Sequence, residues 1–122
     1  MYRVGDVVCI DYNDFTGNKK IGLFLIIYSE RQDRSYSAGH SNITCVKLTT
    51  NNFRGDSYVV KLHRGDANLQ EDCLVNLSKI HTFISKNNYK IIGRLGPNEM
   101  SRVFKELTKF NQEVLNQVME TF

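Results

Sequence analysis

The sequence predicts a mainly β fold, in which a closed or partly closed antiparallel barrel is followed by a single C-terminal helix. Six or seven short apolar segments are separated by polar turns with no helical pattern between them, which is typical of antiparallel sheets rather than of βαβ units. A helical period appears only after Pro97. The 122 residues suffice for a single core. We therefore expect one domain over 1–122, with the barrel at about 1–95 and the helix at about 97–121.

The longest uninterrupted apolar run is the segment 22–28, GLFLIIY. Turn-forming Gly17 and Asn18 precede it, charged Glu30 and Arg31 follow it, and it is too short for a buried helix. We therefore predict that this segment is a fully covered central strand around which the other strands pack.

The other predicted strands are short and bounded by polar residues, and they comprise 7–12, 43–48, 57–62, 73–77, 80–84 and 90–92. Polar segments connect them, and 13–20 and 29–42 are predicted to be loops. Loops as long as 29–42 often carry function.

After Pro97, apolar residues recur at steps of three and four, as an amphipathic helix requires. Pro97 suits the first helical turn after Gly96. At 1.5 Å per residue such a helix is roughly 35 Å long, which exceeds the width of a small barrel. We therefore predict that its second half packs on a partner subunit or crosses the barrel face, with Lys105, Lys109 and Glu113 facing solvent.

The composition sets broad limits on the environment and the partners. A net charge of +3 and a pI near 8.8 are compatible with a polyanionic partner without requiring one. Cys9, Cys45 and Cys73 are odd in number and lack C-x-x-C spacing, which argues against a disulfide framework or a zinc site and indicates buried thiols in a reducing compartment. The N-terminus lacks the pattern of a signal peptide, and no apolar stretch is long enough to span a membrane. We expect a cytoplasmic protein without a metal site.

Several short motifs occur in a specific order: Gly5-Asp6-Val7 at the first strand, Leu48-Thr49 at a strand end, Asp72-Cys73 at a strand start, Ile92-Gly93-Arg94-Leu95, and Glu99-Met100 at the helix start. With this order and spacing, the chain resembles the MazF/PemK family of toxin–antitoxin toxins from residue 4 to about residue 107. The resemblance implies an SH3-like antiparallel β-barrel of the MazF/PemK/CcdB type and a homodimer. It also implies a sequence-specific, metal-independent endoribonuclease that cuts single-stranded RNA, needs no cofactor, and is restrained by an antitoxin protein.

RNA cleavage without a metal requires a base for the 2′-hydroxyl proton, a cation to stabilise the phosphorane, and an acid for the leaving 5′-oxygen. In the family, an arginine of an Arg-Pro pair before the central strand supplies the cation, and the resemblance sets Gly22 at this position. Glycine carries no charge, which predicts weakened activity. Lys19 and Lys20 can replace the charge if their loop folds back, and the family's strand-end hydroxyl is retained as Thr49. The catalytic candidates are therefore Thr49, Lys20 and Lys19.

Candidates for contacting nucleic acid are the cationic and hydroxyl residues expected near the same face, namely Lys19, Lys20, Thr50, Arg54 and Arg64. Each also has an ordinary interpretation, because loop lysines and arginines are normally solvated and strand-end threonines normally bond to nearby backbone. We predict no catalytic role for His81, which we expect to be a surface or cross-strand residue.

Three functions fit these residues. The first is an endoribonuclease toxin whose cation has moved to Lys19 or Lys20, and it requires Thr49 and one of these lysines to reach the same groove. The second is a catalytically silent dimer of the same fold that binds nucleic acid or another protein as a regulatory module. The third is a structural dimer without a nucleic-acid partner. The resemblance favours the first function, and the missing arginine favours the second.

Overall fold

The computed structural model describes residues 2–30, 41–50, 58–85 and 89–122. The strands in this part of the chain are β1 (Asp6–Asn13), β2 (Lys19–Ser29), β3 (Ser41–Thr49), β4 (Val59–Leu62), β5 (Cys73–Ser85) and β6 (Lys90–Arg94). A short 3-10 turn at Asp66–Asn68 connects β4 to β5, and helix α1 spans Pro97–Thr121.

The strands form one curled antiparallel sheet in the order β4-β5-β3-β2-β1-β6. β2 lies between β1 and β3, and its residues Phe24, Leu25 and Ile26 are fully buried. The predicted central strand and the predicted fold class, an antiparallel barrel-like sheet with a C-terminal helix, are both confirmed.

Alternating residues of the central strands supply two apolar clusters, because successive side chains of a strand point to opposite faces of the sheet. Leu25 belongs to the first cluster, which Met100 and Val103 of α1 join. Phe24 and Cys45 belong to the second cluster. The candidate site described below lies on the face of this second cluster.

The predicted pair of strands at 73–77 and 80–84 is wrong, because β5 is a single strand. Its pairing with β3 jumps from Leu48↔Val75 to Val46↔Ile80, so that four residues of β5 lie opposite one residue of β3. Within this bulge the Asn76 side-chain oxygen accepts hydrogen bonds from the backbone N–H and the hydroxyl of Ser78, at 3.0 and 2.6 Å. A bulge of this kind bends a strand without ending it.

The predicted loop at 13–20 is shorter than expected, since β1 runs to Asn13 and β2 begins at Lys19. The intervening turn is built around the Asp14 carboxylate, which accepts hydrogen bonds from Thr16 and from the backbone N–H of Asn18. Lys19 and Lys20 are therefore strand residues rather than loop residues.

Two other predicted boundaries shift. Tyr58 has a φ of 63°, in the left-handed region that a regular strand does not use, so β4 begins at Val59 instead of residue 57. The predicted loop at 29–42 loses its ends to the sheet, where Ser29 pairs with Ile43. Its residues 31–40 lie outside the described part of the chain.

Helix α1 confirms the amphipathic pattern after Pro97. Among its residues only Met100 and Val103, in the first two turns, are buried. From residue 114 to the end of α1, the apolar side chains are about half exposed or more, and they are Val114, Leu115, Val118 and Met119. This row of four residues, hereafter the distal helix row, is left uncovered by the sheet of its own chain.

Two contacts fix the position of β6, one with β1 and the other with the 3-10 turn. The Asp6 carboxylate, almost fully buried, accepts a hydrogen bond from Arg94 Nε at 2.8 Å and another from the Arg3 backbone N–H at 2.9 Å. At Gly93 the strand passes so close to the 3-10 turn that a Cβ atom would lie 2.3 Å from the Ala67 carbonyl oxygen. Only glycine allows this approach without displacing one of the two backbones.

Candidate functional site

The register of the sheet brings Gly22 and Thr49 together. Leu23 pairs with Leu48, so the next position along sets Gly22 of β2 beside Thr49 at the end of β3. Phe24 and Lys47 are also direct cross-strand partners, and directly opposite residues project to the same face. Gly22, Phe24, Lys47 and Thr49 therefore share one face of the sheet. Thr49 is half-buried there.

The space that a side chain at Gly22 would occupy is already lined. A Cβ atom at this position would lie 3.1 Å from the Phe24 ring, 3.2 Å from the Tyr12 ring and 3.6 Å from Lys47 Cε. The stem of Lys47 thus crosses β2 over Gly22 and reaches β1, where Lys47 Nζ donates a 2.7 Å hydrogen bond to the Tyr12 hydroxyl. The ammonium also lies 5.3 Å from the centroid of the Tyr12 ring.

Sequence reasoning missed Lys47. The signal that could have found it is the alternation of side chains along the predicted strand, which sets Lys47 on the same face as buried Cys45 and as Thr49. A lysine at such a position is unusual enough to be considered for a role in binding.

Aromatic rings pack around Phe24, on the same face of the sheet as Gly22, Lys47 and Thr49. The Phe24 ring makes edge contacts with Tyr12, His81 and Phe83, at centroid distances of 5.5, 5.5 and 5.2 Å. His81 is, as predicted, a cross-strand residue, paired with Cys45, and its ring stacks on Phe83. Burial lowers the pKa of His81, and the positive charges of Lys47 and Lys79 lower it further. The imidazole is therefore neutral at pH 7.

Lys19 and Lys20 line an open cleft of about 440 Å³ formed by the end of β1 and the start of β2, and its other lining residues are Asp11, Tyr12, Asn13 and Ile21. As successive residues of a strand, the two lysines project to opposite faces. Lys20 pairs with Tyr12 and shares the face of Gly22, whereas Lys19 pairs with Asn13.

Lys20 also has an acidic neighbour, since its Nζ lies 3.8 Å from Asp14 Oδ2. The hydrogen bond from the Thr16 hydroxyl is the main cause that lowers the pKa of Asp14, with a smaller contribution from Lys20. Asp14 is thus ionised at neutral pH and partly offsets the charge of Lys20.

The other predicted contacts with nucleic acid are more dispersed. Thr50 is exposed directly after β3. Arg64 is exposed in the turn after β4, and β5 and β3 separate that strand from β2 in the sheet. Its backbone N–H donates to Asp72 Oδ1 at 2.8 Å. Arg54 lies outside the described residues. The register therefore brings Lys20 and Thr49 to one face of the sheet. Arg64 lies near neither, because it follows the edge strand β4.

Two kinds of feature are absent from the described ranges. Within 2–30, 41–50, 58–85 and 89–122, no group of three or more histidine, cysteine or acidic residues is placed to hold a metal ion. Over the same ranges, no helix combines the length and the apolar character needed to span a membrane.

Comparison with solved structures supports the fold. A mycobacterial endoribonuclease in complex with its cognate antitoxin is similar, with 21% identity, a TM-score of 0.59, and coverage of 86% of this chain and 89% of that chain. A second mycobacterial endoribonuclease is 20% identical, with a TM-score of 0.58 and coverage of 87% and 86%. No curated protein was found to match the sequence.

The sequence itself gives the family. Residues 3–111 match the family described as the PemK-like, MazF-like toxin of type II toxin–antitoxin systems, which is nearly the whole chain. The match includes all six strands that the structure describes and more than half of α1. The chain therefore belongs to the PemK-like, MazF-like toxin family.

Proposed function

We propose that this protein is the toxin of a type II toxin–antitoxin pair and acts in the cytoplasm as an endoribonuclease that cuts single-stranded RNA at short preferred sequences, with neither metal nor cofactor. The family match over residues 3–111 carries this proposal. Two structural neighbours that are described as endoribonucleases support it, one of them in complex with its cognate antitoxin.

The proposed reaction is an internal transesterification. The 2′-oxygen of the RNA bonds to the adjacent phosphorus, the bond from phosphorus to the 5′-oxygen breaks, and the products are a 2′,3′-cyclic phosphate and a free 5′-hydroxyl. A base takes the 2′-hydroxyl proton, the 5′-oxygen gains a proton, and positive charge stabilises the phosphorane. No oxidant or other co-reactant is needed.

The proposed site uses the start of β2 and the end of β3. The Thr49 hydroxyl contacts the scissile phosphate, and Lys20 adds positive charge from the cleft on the same face. Lys19, which lines the same cleft from the other face of β2, and the exposed Thr50 contact neighbouring phosphates of a bound strand. Arg64, which follows β4, contacts a phosphate farther along that strand. Exposed cations with hydroxyl groups along a groove suit a flexible polyanion.

The proposed assembly is a homodimer that an antitoxin protein restrains. The distal helix row supports a protein partner, because four apolar side chains at helical spacing are left uncovered by the sheet. The mycobacterial neighbour with a bound antitoxin supports an antitoxin as one such partner.

One observation favours a second function. Gly22 occupies the position at which the resemblance implies the catalytic arginine, and glycine cannot supply a guanidinium group. A catalytically silent dimer that binds nucleic acid or protein as a regulatory module would not require that charge.

A cleavage assay separates the two functions. The purified protein is incubated with a long single-stranded RNA in excess EDTA, and the products are examined for cyclic phosphate ends. We expect cleavage by the wild type, strong loss with Thr49→Ala and partial loss with the Lys19→Ala/Lys20→Ala double variant. Lys61→Ala, which removes a cation from the distant strand β4, is the matched control. Intact RNA at high protein concentration would overturn the nuclease proposal, and salt-sensitive RNA binding without cleavage would establish the binding module.

A further inference from the structure

Lys47 occupies the position on the sheet from which a cation can reach the space above Gly22. Its side chain starts on β3, passes over Gly22 on β2 and ends at the Tyr12 hydroxyl on β1. Thr49 projects from the same face, two residues further along β3. A positive charge is therefore present next to the strand-end hydroxyl, although no cationic side chain arises from residue 22.

The charge of Lys47 is available to a ligand. Some lysines of the described chain have acidic neighbours, as Lys20 has Asp14 and Lys61 has Asp72. Over the described residues, no carboxylate lies within 4.0 Å of Lys47 Nζ. Lys47 is half-buried, and its ammonium lies beside the Tyr12 ring without a carboxylate partner among the described residues, which suits it to hold an anion.

The hydrogen-bond direction leaves two donors for that anion. Lys47 donates to the Tyr12 oxygen, and an ammonium has three N–H groups, so at least one remains for a ligand. The Tyr12 hydroxyl accepts this bond and keeps its own proton to donate elsewhere. The two donor atoms are 2.7 Å apart, which allows them to bond to two oxygens of one phosphate group.

The pair is also continuous with the cleft. Tyr12 lines the cleft together with Lys19 and Lys20. A strand of RNA lying in this cleft would thus bring a backbone phosphate to the Tyr12 end, where the Lys47 ammonium is located.

We propose that Lys47 and Tyr12 bind the scissile phosphate of RNA, with Lys47 supplying the positive charge that stabilises the phosphorane. This inference rests on the proposed endoribonuclease function. In the transesterification above, negative charge grows on the non-bridging oxygens while the bond to the 2′-oxygen forms and the bond to the 5′-oxygen breaks. The ammonium and the phenol hydroxyl donate hydrogen bonds to these oxygens and are unchanged at the end.

The experiment compares four variants in cleavage and in binding. Lys47→Met keeps the stem and removes the charge, Lys47→Arg keeps a charge, Tyr12→Phe keeps the ring and removes the hydroxyl, and Lys61→Met is the charge-matched control. Cleavage is measured on single-stranded RNA in EDTA. Binding is measured by fluorescence anisotropy with a fully 2′-fluoro oligonucleotide of random sequence, which has no 2′-hydroxyl and cannot be cleaved by this route. Circular dichroism and thermal unfolding verify that each variant is folded.

We expect Lys47→Met to lower kcat/KM about 100-fold, as for removal of one transition-state donor elsewhere. Lys47→Arg should retain more activity than Lys47→Met, Tyr12→Phe should lose about five- to tenfold, and Lys61→Met should match the wild type. In the binding assay, loss of one phosphate contact should reduce the salt slope, d log K/d log[salt], by about 0.7 for a single strand.

The outcomes separate this inference from the function on which it rests. Wild-type cleavage that survives Lys47→Met undiminished would overturn the inference and leave the nuclease in place. A wild type that binds the 2′-fluoro strand without cleaving RNA would overturn the nuclease. In that case, a smaller salt slope for Lys47→Met than for the wild type would still show that Lys47 contacts a phosphate. An unchanged slope would overturn the proposed phosphate contact as well.

Discussion

A single methyl group at Gly93 should cost this protein a substantial part of its stability. The added Cβ atom would lie 2.3 Å from the carbonyl oxygen and 2.5 Å from the carbonyl carbon of Ala67. Since ordinary contacts of this kind are 3.4 Å or longer, the two backbones must separate by about 1 Å. Neither side of the contact is a flexible side chain that can rotate away.

The separation would disturb the anchoring of the 3-10 turn. Asn68 Nδ2 donates a 3.1 Å hydrogen bond to the Ile92 carbonyl oxygen, one residue before Gly93. Overpacking costs about 1–3 kcal/mol, and the loss of one hydrogen bond costs about 1 kcal/mol. We therefore expect Gly93→Ala to lower the free energy of unfolding by about 2–4 kcal/mol, out of the roughly 5–15 kcal/mol of a typical domain.

Gly96→Ala is the matched comparison, three residues away. Its Cβ atom would lie 2.9 Å from Glu99 Oε2, which is the far end of a flexible side chain. The φ of Gly96 is −78°, a value that alanine adopts readily. Because Gly96 is the N-cap of α1, where alanine is less favourable than glycine, this substitution should lower the free energy of unfolding by no more than about 1 kcal/mol.

Urea denaturation followed by circular dichroism measures both variants. With a slope of about 2 kcal/mol per molar urea, the midpoint of Gly93→Ala should fall by roughly 1–2 M relative to the wild type. Equal urea midpoints for the two alanine variants would refute this prediction, because the added Cβ atom meets backbone at residue 93 and a mobile side chain at residue 96.

Three further predictions concern charged and ionisable groups. Arg94→Met should lower the free energy of unfolding by about 1–3 kcal/mol, since it leaves the buried Asp6 carboxylate without its cation. In urea denaturation, the double variant Asp6→Asn/Arg94→Met should lose less stability than the sum of the losses of the two single variants. Burial raises the pKa of the Cys45 thiol to about 12, from an ordinary value of 9.0. The unfolded thiol ionises first, so the free energy of unfolding should fall as pH rises from about 9 to about 12, more steeply in the wild type than in Cys45→Ala. The lowered pKa of His81 means that stability from this residue is present above pH 6.5 and is lost as pH falls through the folded-state pKa, and NMR titration should show this pKa rising in Lys47→Met.

Sequence reasoning succeeded where one strong pattern decided the structure. The run at 22–28 has too few polar residues for anything but a covered strand, and the three- and four-residue steps after Pro97 fit only a helix. The resemblance aligned Gly22 with the arginine of the family's Arg-Pro pair, whereas its place beside Thr49 came only from the strand register.

It failed where pairing between distant segments decided the outcome. Residues 78–79 look like a break between two strands, but the Asn76 side chain bonds to Ser78 and lets β5 continue through a bulge. Lys19 and Lys20 look like loop residues because they are charged, yet β1 continues to Asn13 and supplies their partners. Such partners cannot be read from local composition.

Lys47 shows the same limit at the candidate site. Its side chain can reach Tyr12 only through a trough across β2, the space above Gly22 between the Tyr12 and Phe24 rings, which is open because residue 22 has no side chain. The alternation of β3 marks Lys47 as a candidate for binding, but only the fold shows that its side chain passes over Gly22.

This trough also links the effects of substitutions at residues 22 and 47. A long side chain at residue 22 would compete for space with the Lys47 stem and with the Tyr12 and Phe24 rings, since a Cβ atom there already contacts all three. Gly22→Arg alone would force one cation out of that space, and Lys47 replaced alone would leave it without a charge. Substitutions at residues 22 and 47 should therefore be strongly non-additive in RNA cleavage, so that Gly22→Arg helps only when Lys47 is also replaced.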